Sequence, residues 1–291
     1  MGEVGATAEP PFQSIAIVGL GLIGGSIALA VRERWPASRL IGVDSQAVLA
    51  HAMGSGAIDR TVESVAALPA VDLVVLAAPV MQNVDLLAQL AARHPGPVVI
   101  TDVGGTKRAI VDAARGLPPS ATFVGGHPLG GAERGGFGFA RPDLFAGRPW
   151  IFTPEGDASR AAVARLSQFV AGFGAVPTTM DADQHDRLMA FVSHLPQLTA
   201  SALMEVVGRA APAGGVRLGG RGLVDTTRLA SSPASVWRDI CATNADAIGD
   251  ALDLLIACLI EMRGNLQRGE TIDAIFDEAA KWRAELMKGR E

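Results

Sequence analysis

The 291-residue chain contains no tyrosine. That removes every mechanism built on a phenolic acid or base, including the Tyr-x-x-x-Lys pair of short-chain dehydrogenases. Lysine is nearly absent too. Only Lys107, Lys281 and Lys288 occur, which excludes a lysine catalyst between residues 108 and 280. Arginine takes its place, as a GC-rich coding sequence would produce. The two cysteines, Cys241 and Cys258, form neither a disulfide framework nor a metal-ligand spacing, and a reducing cytosol is the simplest setting. Without an HExxH or a Cys/His cluster, no metal is expected. The formal net charge is −5 with no long basic run, so a nucleic-acid partner is not expected. The first eleven residues carry Glu3 and Glu9 but no positive charge; this is not a signal-peptide pattern, and a frayed leader is expected. Residues 15–31 are uncharged and include a GxxxG at Gly21 and Gly25. Their four glycines and missing aromatic belt fit a strand, turn and helix better than a membrane span. No membrane partner is expected.

Glycine, by contrast, is in surplus: 34 residues, about 12% against an average near 7%. Thirteen of them fall in residues 19–25, 104–105 and 125–138. Such clustering marks places where backbone turns tightly or where something approaches it closely.

Residues 14–178 alternate short β-branched runs with helical stretches. Strands are expected at 14–18, 40–43, 72–76, 98–102, 122–124, 150–153 and 176–178, and helices at 22–33, 81–93, 106–115 and 160–173. Near-continuous apolar strands separated by helices indicate a parallel sheet covered on both faces. After about Met180 only helical periodicity remains, at 181–209, 223–229, 235–268 and 271–288, with Asp181 and Ser235 as N-caps. The reading is α/β: an N-terminal Rossmann-type dinucleotide-binding domain over residues 1–180, then an all-α helical domain over 181–291. The helical domain is apolar on more than one face around 251–259 and is expected to form a homodimer.

The segment Gly19-Leu20-Gly21-Leu22-Ile23-Gly24 follows a strand and opens a helix. In this spacing the first Gly makes the turn, the second admits a pyrophosphate, and the third lets helix pack on strand. Amides at the helix start, Leu22 and Ile23, then face the phosphates. Asp44 ends the second expected strand, 20 residues after Gly24, where a carboxylate would hold an adenine ribose 2′-hydroxyl and repel a 2′-phosphate. The cofactor is therefore read as NAD, with Ala78 and Pro79 lining it from the next long strand end.

Two more strand ends reach the same edge: 101–107 and 125–131. His127 stands in a glycine frame there, with a pKa class suited to proton transfer near neutrality. His51 and His94 read as solvated. His185 and His194, nine positions apart at about 100° per residue, fall on opposite sides of a straight helix. They are not expected to share a site unless Pro196 distorts the helix.

These residues resemble the prephenate (or arogenate) dehydrogenase family over about Ser14 to Lys288. The matching features are Gly19-x-Gly21-x-x-Gly24, Asp102-x-Gly104 with Lys107, and Gly126-His127-Pro128 with Glu133. Further on come Ser193-His194-Leu195-Pro196, Asp225-Thr226-Thr227-Arg228 and Trp237-Arg238-Asp239. The resemblance implies a cytoplasmic enzyme for NAD-dependent oxidative decarboxylation of prephenate to 4-hydroxyphenylpyruvate in tyrosine biosynthesis, with arogenate as the alternative substrate. It also implies that His127 takes a hydrogen bond or proton from the ring C4 hydroxyl and that Arg228 holds a substrate carboxylate. His194 joins the candidate catalytic residues. Glu133 is counted with the substrate-binding residues, or else pairs with Arg134; Trp237 packs near Arg228. Two positions depart from the family pattern. Gly105 stands where many members have Ser, so the adjacent Thr106 is the candidate for that hydroxyl. Gln197 replaces a second His and offers an amide to the substrate. A β-hydroxyacid dehydrogenase would need a lysine in the helical region, which is missing. A non-catalytic NAD-binding sensor would not need His127 or Arg228.

Overall fold

Short apolar runs, each with both faces to bury, require a sheet covered by helices on either side. The computed structural model, which describes residues 9–93, 95–131 and 134–288, has this architecture. In chain order come β1 (Ser14–Val18), α1 (Leu22–Arg34), β2 (Arg39–Val43), α2 (Gln46–Gly54), β3 (Arg60–Thr61), β4 (Leu73–Leu76) and α3 (Val80–Arg93). They are followed by β5 (Val98–Asp102), α4 (Arg108–Ala114), β6 (Ala121–Pro128), β7 (Pro149–Thr153), α5 (Gly156–Ala171) and β8 (Val176–Thr179). The strands form one sheet in the order β3-β2-β1-β4-β5-β6-β7-β8. Strand β1 is central, pairing Ile15 with both Leu40 and Leu73. Its alternate residues serve two cores, as period two demands. Ile15 and Ile17 join Phe12, Trp150 and Phe169 on one face, and Ala16 and Val18 join Leu87, Leu90 and Ile100 on the other. The strand order reverses between β1 and β4, the place where open α/β sheets bind ligands.

The sequence indicates a parallel sheet, but one pairing differs. β7 runs antiparallel to β6, with His127 opposite Ile151. The chain leaving β6 stays at the same edge, Leu129 N–H bonding Pro149 O, so the next strand must run back. The two-residue β3 and the helix α2, whose buried residues are only Leu49 and Ala52, are too short or too weakly patterned to read from sequence.

Beyond β8 the described residues are helical. α6 (Ala182–Met189) leads through a π-helical turn (Ala190–His194) into α7 (Leu195–Ala210). Then come α8 (Arg221–Thr226), a 3-10 turn (Arg228–Ser231), α9 (Ala234–Thr243), α10 (Ala245–Gly264) and α11 (Gly269–Met287). Asp181 caps α6 as expected, accepting the Asp183 and Gln184 amides at 3.0 Å each. Ser235 is not the cap of the next long helix: Pro233 holds that position, and Ser235 lies within the first turn of α9. The expected single helix 235–268 also breaks at Asn244, whose φ of −136° and ψ of 32° are not helical.

The chain separates into two compact units, Met1–Ala245 and Asp246–Glu291. In the second, α10 buries Ala247, Ile248 and Ala251, while Leu254, Leu259, Ile260, Phe276 and Trp282 are exposed. No helix among the described residues is long and apolar enough to cross a membrane.

Candidate active site

β1 ends at Val18 and α1 begins at Leu22, so the chain turns within three residues. Gly19 has φ +92°, and a Cβ on it would lie 2.7 Å from the Ala77 carbonyl; a Cβ on Gly24 would lie 1.9 Å from Gly19 O. A Cβ on Gly21 would meet nothing within 4 Å. Two glycines thus let the backbone close up, and the third faces open space. The first intrahelical bond is Gly25 N–H to Gly21 O, so the amides of Leu22, Ile23 and Gly24 precede it. The first turn of α1 has no acidic residue to offset its partial positive charge. At the end of β2, Asp44 accepts the Leu20 and Ser45 amides at 2.7 and 2.6 Å. A cavity of about 590 Å³ opens here, bordered by Gly19, Gly21, Asp44, Glu63, Ala78 and Pro79. The lining fits a dinucleotide: backbone cradle for the phosphates, carboxylates on the ribose side, and no Arg or Lys among the described lining residues to receive a 2′-phosphate.

Along the same edge, Asp102 closes β5 and Lys107 precedes α4. Both are fully buried and bonded to one another. Lys107 Nζ also donates to Gly126 O at 2.9 Å, and Asp102 Oδ1 accepts Gly126 N–H at 3.0 Å. The ion pair therefore clasps Gly126 by both its amide and its carbonyl. Only glycine permits this approach, since a Cβ there would stand 2.5 Å from Asp102 O. Burial pushes the Lys107 ammonium below its ordinary range, against the pull of Asp102.

The next residue, His127, is partly exposed. Its Nδ1 lies 2.8 Å from His185 Nε2, and His185 Nδ1 lies 2.7 Å from Asp186 Oδ1. Asp186 also accepts the Lys107 amide at 2.7 Å and the Arg108 amide at 2.9 Å. Burial alone would raise the Asp186 carboxyl. Hydrogen bonds from His185 and the two amides outweigh it and hold the group below its usual value. His127 is held well below the ordinary histidine range, first by desolvation and then by His185, Lys107 and His194. At neutral pH it is an uncharged acceptor.

His194 joins this cluster, against expectation. The π-helical turn carries one extra residue per turn, which rotates the downstream residues by about 100°. Opposite faces thereby become about 80° apart. Pro196, which has no N–H to continue an α-helical ladder, sits immediately after in the first turn of α7. His194 Nδ1 lies 3.3 Å from Asn244 Nδ2, which also donates to Asp186 O at 2.8 Å; Arg108 Nη2 donates to Asn244 Oδ1 at 2.6 Å. Trp237 packs edge-on against His194, ring centroids 6.0 Å apart. Burial pushes His194 down to about 4 despite the attraction of Asp186.

The remaining candidates are dispersed. The buried Thr106 hydroxyl pairs with Thr243 Oγ1 at 2.7 Å. Gln197 donates to Leu229 O at 2.7 Å and accepts from Ser232 Oγ at 3.1 Å, pinning the turn on which the exposed Arg228 sits. Asp239 accepts the Met81 amide at 3.3 Å, at the start of α3. His51 is exposed, its ring against Phe137. Glu133 and His94 lie outside the described residues. Asp186, Asn244, Arg108 and Thr243 carry no motif that marks them in the sequence. A cavity of about 620 Å³ between α4 and α5 contains none of these groups. Among the described residues no group of three or more His, Cys, Asp or Glu is arranged to hold a metal.

Residues 27–178 match the family described as prephenate dehydrogenase, nucleotide-binding domain, and residues 181–278 match prephenate dehydrogenase, dimerization domain. The chain is 35% identical over 289 residues to the prephenate dehydrogenase of Bacillus subtilis (strain 168), covering 93% of this chain and 75% of that one. It is 31% identical over 282 residues to the cyclohexadienyl dehydrogenase of Zymomonas mobilis subsp. mobilis, covering 94% and 96% respectively. Its fold is similar to the crystal structure of prephenate dehydrogenase from A. aeolicus in complex with hydroxyphenyl propionate and NAD+. The TM-score is 0.87 at 27% identity, over 94% of this chain and 98% of that one. A glycine cradle, a neutral histidine on the same sheet edge and these matches along both halves lead to one assignment: the chain belongs to the prephenate dehydrogenase family.

Proposed function

We propose that the protein is an NAD-dependent prephenate dehydrogenase, converting prephenate to 4-hydroxyphenylpyruvate and CO₂. The observation that carries this reading is the uncharged His127 at the carboxyl edge of the sheet that also holds the Gly19–Gly24 cradle. Gly19, Gly21, Gly24 and the amides of Leu22 and Ile23 would hold the pyrophosphate, Asp44 the ribose, and Ala78 and Pro79 the wall beside it. Bound there, NAD supplies the hydride acceptor. His127 takes the proton of the ring C4 hydroxyl as the C4–H bond breaks. Cleavage of the ring–carboxylate bond then returns its electron pair to the ring, which becomes aromatic, and the proton goes back to the phenolic oxygen. Little more than orientation and one proton transfer is asked of the protein. Arg228 is assigned to a substrate carboxylate because a guanidinium offers a planar, permanently charged fork. Gln197 serves the substrate side by holding the turn that carries Arg228, and Glu133 is assigned to the substrate on the family resemblance. Thr106 and His194, the other candidate catalytic residues, have their polar atoms bonded to Thr243 and Asn244, which favours a supporting role for both.

The division near residue 180, a homodimer through residues 181–291 and a cytoplasmic setting belong to the same proposal. The dimerization-domain match and the exposed apolar residues of α10 and α11 support the dimer. The two free thiols, Cys241 and Cys258, support the compartment.

The test is NADH appearance on adding prephenate or arogenate to the purified protein with NAD. Turnover is expected with prephenate, and His127→Asn should lower kcat about 10²-fold or more at unchanged NAD affinity. No turnover with either substrate overturns the activity.

A further inference from the structure

We infer that His185 and Asp186 are positioning residues that fix the protonation pattern of the His127 ring, placing its proton on Nδ1 and leaving the Nε2 lone pair as the accepting atom. The inference rests on the reading of His127 as the proton acceptor. It comes from hydrogen-bond roles taken one at a time.

The chain of roles starts at groups that have no choice. The backbone amides of Lys107 and Arg108 can only donate, and both point at the Asp186 carboxylate. That carboxylate is therefore an acceptor. Its Oδ1 also meets His185 Nδ1 at 2.7 Å, so the proton in that bond must come from the imidazole. His185 is fully buried, and the Lys107 ammonium is buried as well. A second proton on His185 would add a cation to the interior that already holds that ammonium. His185 is thus neutral with Nδ1 protonated, and its Nε2 has only a lone pair to offer. His127 Nδ1 lies 2.8 Å from that lone pair and must supply the proton of the second bond. A neutral His127 then has none left for Nε2. Among the described residues nothing bonds His127 Nε2.

Adjacent residues make the relay possible. On α6, His185 and Asp186 are consecutive and leave the helix about 100° apart, so the Asp186 carboxylate caps the start of α4 while His185 reaches across to β6. Asp186 is held from outside the helix, its carboxylate by the Lys107 and Arg108 amides and its carbonyl by Asn244 Nδ2. The same logic, with a buried carboxylate selecting one imidazole tautomer, governs hydrolytic triads; here two imidazoles stand in series.

The test is ¹⁵N–¹H correlation spectroscopy of histidine side chains in the intact protein, with His127 and His185 signals assigned by their loss in His127→Asn and His185→Gln. The expected spectrum shows protonated Nδ1 and unprotonated Nε2 on both rings. A protonated Nε2 on His127 overturns the inference. A kinetic pair separates positioning from packing. His185→Gln keeps an oxygen able to accept from His127 Nδ1, whereas His185→Phe keeps the ring volume and removes the acceptor. His185→Phe should lower kcat about 10²-fold with KM within about twofold, and His185→Gln should recover at least about tenfold of that loss. Equal activities in the two variants overturn the inference. Wild-type turnover in His127→Asn would instead sink the acceptor reading itself, whatever the tautomers.

Discussion

Replacing Lys107 by methionine tests the frame of the site directly. Methionine is unbranched and only one atom shorter than lysine, so the change removes the ammonium and its donors while keeping most of the side chain's bulk. Asp102, fully buried, would keep two amide donors, Gly104 and Gly126, at 2.8 and 3.0 Å, and lose its ammonium. Removing one partner of a buried pair typically costs about 3–5 kcal/mol, because the other charge is left uncompensated. Gly126 O also loses its Nζ donor, a penalty of about 1–3 kcal/mol that overlaps the first. A net destabilisation of about 4 kcal/mol is a large part of the roughly 5–15 kcal/mol that keeps a typical protein folded. For a chain of this size, with a urea dependence near the upper end of about 1–3 kcal/mol per molar, the midpoint should fall by about 1.3 M. Equilibrium urea unfolding at fixed protein concentration measures it, since a dimer's apparent stability depends on concentration. Combining Lys107→Met with Asp102→Asn should cost less than the sum of the two single changes by more than about 1 kcal/mol. A midpoint within about 0.3 M of wild type for Lys107→Met, or strict additivity in the pair, would show that the clasp on Gly126 does not hold the site together.

Other expectations concern the cofactor turn, the substrate turn and acidity. Gly21→Ala adds a methyl to open space, so stability should change by less than about 0.5 kcal/mol while the NAD Kd rises at least about tenfold. Gly24→Ala, with its Cβ 1.9 Å from Gly19 O, should lower both stability and affinity. Isothermal titration and thermal melts distinguish the two, and equal behaviour would refute the assignment of the open face to pyrophosphate. Gln197→Ala frees the Leu229 carbonyl and should raise the KM for prephenate without altering NAD affinity; an unchanged KM would mean that the turn carries Arg228 without this anchor. His127, His185 and His194 are all depressed in the folded state, so the unfolded chain binds more protons between their folded values and about 6.5. Their contribution is fully present above that range and is lost as pH falls through it. For His194, buried and pushed down to about 4, the loss by pH 5 is about 2 kcal/mol. Urea midpoints at pH 7 and pH 5 read this, and a flat profile would contradict buried neutral imidazoles.

The cofactor half was legible because its signals are local. The turn from Gly19 to Gly24 and Asp44 act through backbone geometry that a few neighbouring residues dictate, and His127 announced itself by glycines on either side. The proton-handling side was not legible, since its bonds join distant segments: Lys107 to Asp186, Arg108 to Asn244, His127 to His185. A helical wheel placed His185 and His194 apart because it assumes one period throughout. The π-helical turn before Pro196 changes that period, and nothing in residues 190–194 announces it. Likewise Asn244 interrupts a helix whose apolar pattern continues on both sides, and its role appears only when Asp186 and His194 arrive beside it. Thr106 shows the reverse case: a hydroxyl suggested by proximity in sequence turns toward Thr243 in three dimensions.

Strand β6 pairs in parallel with β5 through its first half and antiparallel with β7 through its second, so that His127 lies inside a continuous ladder. His127 and the Gly19–Gly24 turn are thus carried by one continuous sheet. Arg228, by contrast, rides on a short surface turn fastened by an amide. On the roles proposed for them, the group assigned to the chemistry and the group assigned to a substrate carboxylate therefore sit on separate elements of the chain. On that proposal, changes in residues 221–231 would retune which carboxylate-bearing ring is accepted without touching the strands that carry His127 and the Gly19–Gly24 turn.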